Sequence, residues 1–166
     1  IWLAAIPLLA IQTFHMFEHT LQVFRVRVDG VPSRGGIVGP VVEAEWIHFI
    51  YNAAVLTLLL VIFFALRPER THSYSIGARF LLAGALVQGY HVVEHTVKLS
   101  QHLITGAKVN PGLAGKAFDL VLFHYTINLM VYLALLGAVG AYLLPVLTRA
   151  SHPSKLRTLG SPKPSG

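Results

Sequence analysis

Four stretches of the chain are apolar over the length needed to cross a bilayer, about 20 helical residues, and in each the polar residues gather on one side. The first, Ile1 to Val28, carries Gln12, then His15, Glu18, His19 and Gln22. At ~100° per residue the last four occupy roughly a third of the helix circumference. Such a stripe must face protein, because lipid offers it no partners. The second stretch, Val41 to Leu66, opens with Glu43 and Glu45 at the positive end of a helix dipole. It then places His48 and Asn52 four residues apart on one face and is apolar from Ala53 onward. The third, Ile76 to Ile104, carries Gln88, His91, Glu94, His95 and Lys98, and the fourth, Lys116 to Leu144, has Asp119 at its mouth with His124 and Asn128 deeper.

The breaks between these stretches are equally plain. Asp29 to Pro40 and Gly106 to Gly115 are Gly/Pro loops that cannot continue a helix, and Arg67-Pro68-Glu69-Arg70 closes the second stretch. Pro145 is expected to end the fourth, ahead of a basic tail rich in Pro, Ser and Gly with too little apolar content to fold. Counted from the two Gly/Pro loops at ~1.5 Å per residue, His48 and His124 lie roughly 10 Å inside the membrane edge. The pairs His15/His19 and His91/His95 reach the same level from the other strand of each hairpin.

The two hairpins repeat one another. His15-Met16-Phe17-Glu18-His19-Thr20 returns 76 positions later as His91-Val92-Val93-Glu94-His95-Thr96, and the same offset carries Gln12 onto Gln88, His48 onto His124, Asn52 onto Asn128 and Gly30 onto Gly106. Apolar positions have drifted between the copies while this polar set has not, as a tandem duplication under chemical constraint would leave it. The expected fold is therefore all-α: an integral membrane four-helix bundle of two tandem hairpins related by a pseudo-two-fold axis along the membrane normal. Repeat 1 covers residues 1–66, a linker 67–75, repeat 2 residues 76–147 and the tail 148–166. The chain opens on Ile1 without an initiator Met, as a trimmed or processed start would.

Composition sharpens this picture. The chain is 54% hydrophobic and 12% charged, against a charged share near ~25% in ordinary soluble domains. It has no cysteine, which excludes thiolate zinc sites, iron–sulfur clusters and disulfides. The net charge of +6 comes from loops and tail and suits lipid headgroups; no nucleic-acid recognition motif accompanies it. Lys and Arg are slightly more numerous on the side opposite the Gly/Pro loops, which by the positive-inside rule places both termini in the cytoplasm.

The candidate chemistry is a metal centre. His15, His19, His48, His91, His95 and His124 offer nitrogen, Glu18 and Glu94 carboxylate, and Asn52 and Asn128 carboxamide, all expected in one layer. Nitrogen and carboxylate donors without sulfur suit iron, copper, zinc or manganese, and helix bundles build dinuclear sites from facing helices. Burying two unpaired carboxylates costs several kcal/mol each, which cations offset. In this reading two transition-metal ions are held by the His residues, with Glu18 and Glu94 as bridges or catalytic bases and the Asn residues as weak ligands or orienters. Symmetry then makes His48 and His124 equivalent, so that either one, changed to Ala, costs metal to a similar extent. The function expected is redox or oxygen-activating chemistry on a small apolar or lipid-soluble substrate. The alternatives are a non-catalytic subunit of a larger membrane complex or homo-oligomer with a structural or ion-handing site, and a metal-ion transporter, which is disfavoured by the apolar far half of the membrane. H-x-x-E-H is also the zinc pattern of large soluble peptidases, but nothing else here resembles them. Bis-His haem would leave Glu18 and Glu94 in an apolar pocket, and simple helix packing needs neither six His nor the Glu.

Overall fold

The computed structural model describes residues 2–31, 45–66, 72–107 and 110–150. After a single 3₁₀ turn, Trp2–Ala4, it contains four α-helices: α1 (Ala5–Arg27), α2 (Glu45–Leu66), α3 (His72–Thr105) and α4 (Leu120–Ala150). Three of them, over Glu45–Leu66, Ser75–Thr105 and Leu120–Thr148, are long and apolar enough to cross a membrane. The expected first span is a helix of 23 residues but is not among these three. Gln12, His15, Glu18, His19 and Gln22, followed by Arg25 and Arg27, keep it from being apolar enough to join them.

Inward-facing positions recur at steps of three and four. Buried residues follow the series 5, 8, 12, 15, 19 in α1; 52, 55, 59, 62, 66 in α2; 81, 85, 88, 91, 95, 98 in α3; and 124, 128, 131, 135, 138, 142 in α4. This spacing keeps one seam of each helix facing its neighbours. The seam has two chemical parts. Ala5, Leu8, Val55, Leu59, Leu81, Val131 and Leu135 belong to one continuous apolar core, while Gln, His and Asn occupy the seam nearer the Gly/Pro loops. The outer surface is apolar as well: Phe14, Phe17, Phe64, Leu86 and Leu133 are each more than half exposed. A water-facing surface would be polar at those positions.

α3 packs against both α4 and α2, and α1 packs chiefly on α4. Among the described residues α1 makes few contacts with α2, its expected hairpin partner. The long connection between them does not force them together, and the polar seam of α1 turns toward His124 of α4.

The helix ends show local causes. Gly106 follows α3 with φ 68°, and its N–H reaches the His102 carbonyl at 2.8 Å, a left-handed cap that a side chain would strain. α4 begins at Leu120, not near Lys116, because Asp119 caps it: its Oδ1 accepts the N–H groups of Val121 and Leu122 at 3.1 and 3.0 Å. The other oxygen, Oδ2, pairs with Arg27 at 2.6 Å, joining the end of α1 to the start of α4. Pro145 does not end α4, which continues to Ala150. A proline so near a helix end removes one hydrogen bond, and Thr148 donates its hydroxyl to the Leu144 carbonyl in the same turn at 3.0 Å. Glu43 and the tail from residue 151 lie outside the described residues.

The N–H of Leu122, and then Arg27, hold the Asp119 carboxyl below its ordinary range. A lowered carboxyl pKa stabilises the fold at neutral pH and loses that effect as pH falls through the folded value. Asp119→Ala should lower stability at pH 7 by about 1 kcal/mol in thermal unfolding in detergent. Asp119→Asn should retain most of the cap, and the gap between the native chain and the Ala variant should shrink in acid.

Candidate metal centre

The steps of three and four along the seams bring imidazoles from all four helices into one cluster. Within helices, ring centroids lie 4.5 Å apart for His15 and His19 and 4.8 Å for His91 and His95. Between helices, His48 stacks on His95 at 5.5 Å, His19 faces His124 at 6.0 Å, His15 stands 6.3 Å from His48, and His91 stands 5.2 Å from His124. The six rings form one contiguous group in which His91 is fully buried and His95 nearly so.

The tightest part is a triad. His91, His95 and His124 each present a ring nitrogen such that the three lie within 4.8 Å of one another, the one such group among the described residues. The Nε2 atoms of His95 and His124 face each other at 2.8 Å. Both nitrogens of His91 are buried without a hydrogen-bond partner, although a buried imidazole normally bonds through at least one. In the first half, the Nε2 atoms of His15 and His19 face each other at 3.1 Å and His19 Nδ1 meets Gln22 Oε1 at 3.2 Å.

The oxygen donors are placed differently from the sequence expectation. Glu94 is fully buried, but its carboxylate accepts the backbone N–H groups of Leu113 at 3.1 Å and Ala114 at 3.3 Å, in the second Gly/Pro loop. Gly112 makes this possible: its φ is +67°, and a Cβ there would run into the Glu94 carboxylate. Gln101 Oε1 accepts the Gly112 N–H at 2.9 Å beside it. Glu94 thus fastens the loop across the mouth of α3 and α4, and it is not part of the triad. Glu18 is half-buried and also stands outside the triad.

The Asn residues form a second layer one turn deeper. Asn52 Nδ2 donates to the His48 carbonyl at 2.8 Å, and its Oδ1 accepts from Gln88 Nε2 at 2.9 Å. Asn128 Nδ2 donates to the His124 carbonyl at 2.9 Å, while its Oδ1 is buried without a hydrogen-bond partner. These carboxamides secure the helix turns that carry His48 and His124.

Three side chains touch the rings whose roles the sequence did not suggest. Glu45 Oε2 lies 3.5 Å from His95 Nδ1, Lys98 Nζ lies 3.3 Å from His124 Nδ1, and the Tyr51 ring packs 4.4 Å from His15 while its hydroxyl donates to Gln12 Oε1 at 2.5 Å. The signal was available. Glu45 and Tyr51 stand three residues before and after His48, on its face of α2.

Comparison with protein families, curated proteins and solved structures returns no match. The chemistry therefore rests on geometry. A buried group of three imidazoles with converging nitrogens can hold a metal ion, and His91 has no other partner for either nitrogen.

If Glu94 anchors the loop, Glu94→Ala should cost about 1.5–3 kcal/mol for the lost charge-assisted bonds while metal content per chain stays unchanged. Thermal unfolding and elemental analysis of one preparation check both. Loss of metal with stability intact would return Glu94 to the centre as a ligand.

Proposed function

We propose that the chain is a duplicated four-helix membrane metalloprotein whose imidazole layer holds a pair of transition-metal ions and carries out redox chemistry on a small, apolar or lipid-borne substrate. In this reading α1 is the fourth span, admitted to the membrane because its polar stripe faces protein. The duplication is supported by pairs of positions at the same offset that share geometry: Gly30 and Gly106 are both left-handed, and the ring pairs His48/His95 and His124/His19 are separated by 5.5 and 6.0 Å.

The single observation that carries the metal is His91. A fully buried imidazole with both nitrogens unpaired forfeits its hydrogen bonds to water. In a membrane interior no solvent repairs that loss. A cation shared with His95 and His124 does so directly.

The donor set also speaks to the ion. With Glu94 bonded to the loop and Asn52 Oδ1 to Gln88, the donors that converge are imidazole nitrogens, and the one carboxamide oxygen left open is Asn128 Oδ1, a turn deeper. All-imidazole coordination favours copper, zinc or iron over manganese, and copper stands highest in general affinity. Of the first three, copper and iron support electron transfer. Dioxygen, which partitions into the bilayer, is the oxidant this reading requires. The second reading, a structural centre in a subunit of a larger assembly, is favoured by the Glu94 and Asn52 oxygens being already bonded within the protein, since structural sites are closed ones.

The test is elemental analysis of the full chain purified in detergent after growth with copper, zinc and iron. Metal should copurify at up to two ions per chain, His124→Ala should lose at least one, and a reductant should change the optical or paramagnetic signal of what remains. A filled centre indifferent to reductant would select the structural reading. A metal-free chain of undiminished stability would leave only helix packing.

A further inference from the structure

The duplication copied the six clustered imidazoles but not all of the groups that touch them. At the offset that maps His19 onto His95, the counterpart of Glu45 is Val121, that of Gln22 is Lys98, and that of Tyr51 is Ile127. All three differences fall on residues that touch the rings. Resting on the metal reading above, we infer that the two halves of the centre are unequal and that Glu45, reaching from α2 of the first repeat, is the positioning residue for His95 in the second.

The geometry fixes what Glu45 can do. The Nε2 atom of His95 faces Nε2 of His124 at 2.8 Å, so Nε2 is the atom available to an ion shared by both rings. An imidazole bound through Nε2 carries its proton on Nδ1. That Nδ1 is buried and has no hydrogen bond, and the Glu45 carboxylate stands 3.5 Å from it, with only 15% of its side chain exposed. Metal binding turns this loose approach into a donor–acceptor pair, which fixes the tautomer, holds the ring and makes it a stronger ligand.

Charge gives the carboxylate a second effect. Lys98, 3.3 Å from Nδ1 of His124 and buried, opposes a cation at the other end of the same triad. Glu45 brings the opposite charge to the His95 end of the triad. In the first repeat Nδ1 of His19 meets Gln22, a neutral acceptor on the same helix at 3.2 Å, and the position that matches Glu45 is the apolar Val121. The rings are also closer in the second repeat, with 5.2 Å between His91 and His124 against 6.3 Å between His15 and His48. The equal effects that symmetry suggested for His48 and His124 are accordingly not expected.

The experiment is a Co²⁺ titration of the full chain in detergent, stripped of metal and followed by visible absorption, for the native chain, Glu45→Gln, Glu45→Asp and His48→Ala. Glu45→Gln should weaken one of two equivalents by about 10–100-fold and leave the other where it was. His48→Ala should remove the equivalent that Glu45→Gln spares. Glu45→Asp should recover part of the affinity, and the thermal midpoint of the metal-free chain should be the same for the native chain and Glu45→Gln, which a merely structural glutamate would not allow. Native affinity in Glu45→Gln, or equal weakening of both equivalents, overturns the inference while leaving the metal reading standing. A native chain that takes up no Co²⁺ and copurifies with no other metal removes both.

Discussion

Nitrogen atoms deprived of water govern this structure. His91 lies at zero exposure with neither ring nitrogen bonded, and His95 and His124 press against it from the same helix and from α4. Elsewhere the seam is filled by Leu, Val, Ile and Ala, which ask only for shape. A layer of imidazoles asks for partners, and where the outer faces of the helices are apolar, those partners have to come from protein or from an ion. Carboxamides one turn deeper secure the turns that carry His48 and His124, while charges of opposite sign, Glu45 and Lys98, stand at the outward nitrogens of His95 and His124.

Positioning depends on an anchor outside the layer. Glu94 follows His91 by three residues and precedes His95 by one, so any shift of α3 that moves the rings also moves the carboxylate. By accepting two N–H groups from the loop between α3 and α4, it ties the depth of those rings to the start of the next helix. The Arg27–Asp119 pair makes a comparable tie between α1 and α4, at an exposed position where an ion pair contributes little energy but still joins two helix ends.

Much of this was legible in the sequence. The apolar runs gave the helices to within a few residues at most ends, and the 100° rule gave their buried faces. Counting depth from the Gly/Pro loops put the six imidazoles at one level, where their rings indeed meet. The role of Glu94 was not legible, because residue type and depth do not reveal that a folded loop brings two unpaired N–H groups to the same place. Glu45 and Tyr51 were missed for another reason: Glu45 resembled a helix-start charge and Tyr51 has an apolar counterpart, Ile127, in the second repeat, although their three-residue distance from His48 put both on its face. The packing of α1 on α4 was hidden because symmetry of sequence does not impose symmetry of contacts.

X-ray absorption at the edge of the bound metal tests the central claim most directly. A first shell of light atoms near ~2.0–2.1 Å is expected, with the outer-shell scattering of several imidazoles, lost in part from His91→Ala. A shell of oxygen without imidazole scattering, or an identical spectrum from His91→Ala, would contradict that claim.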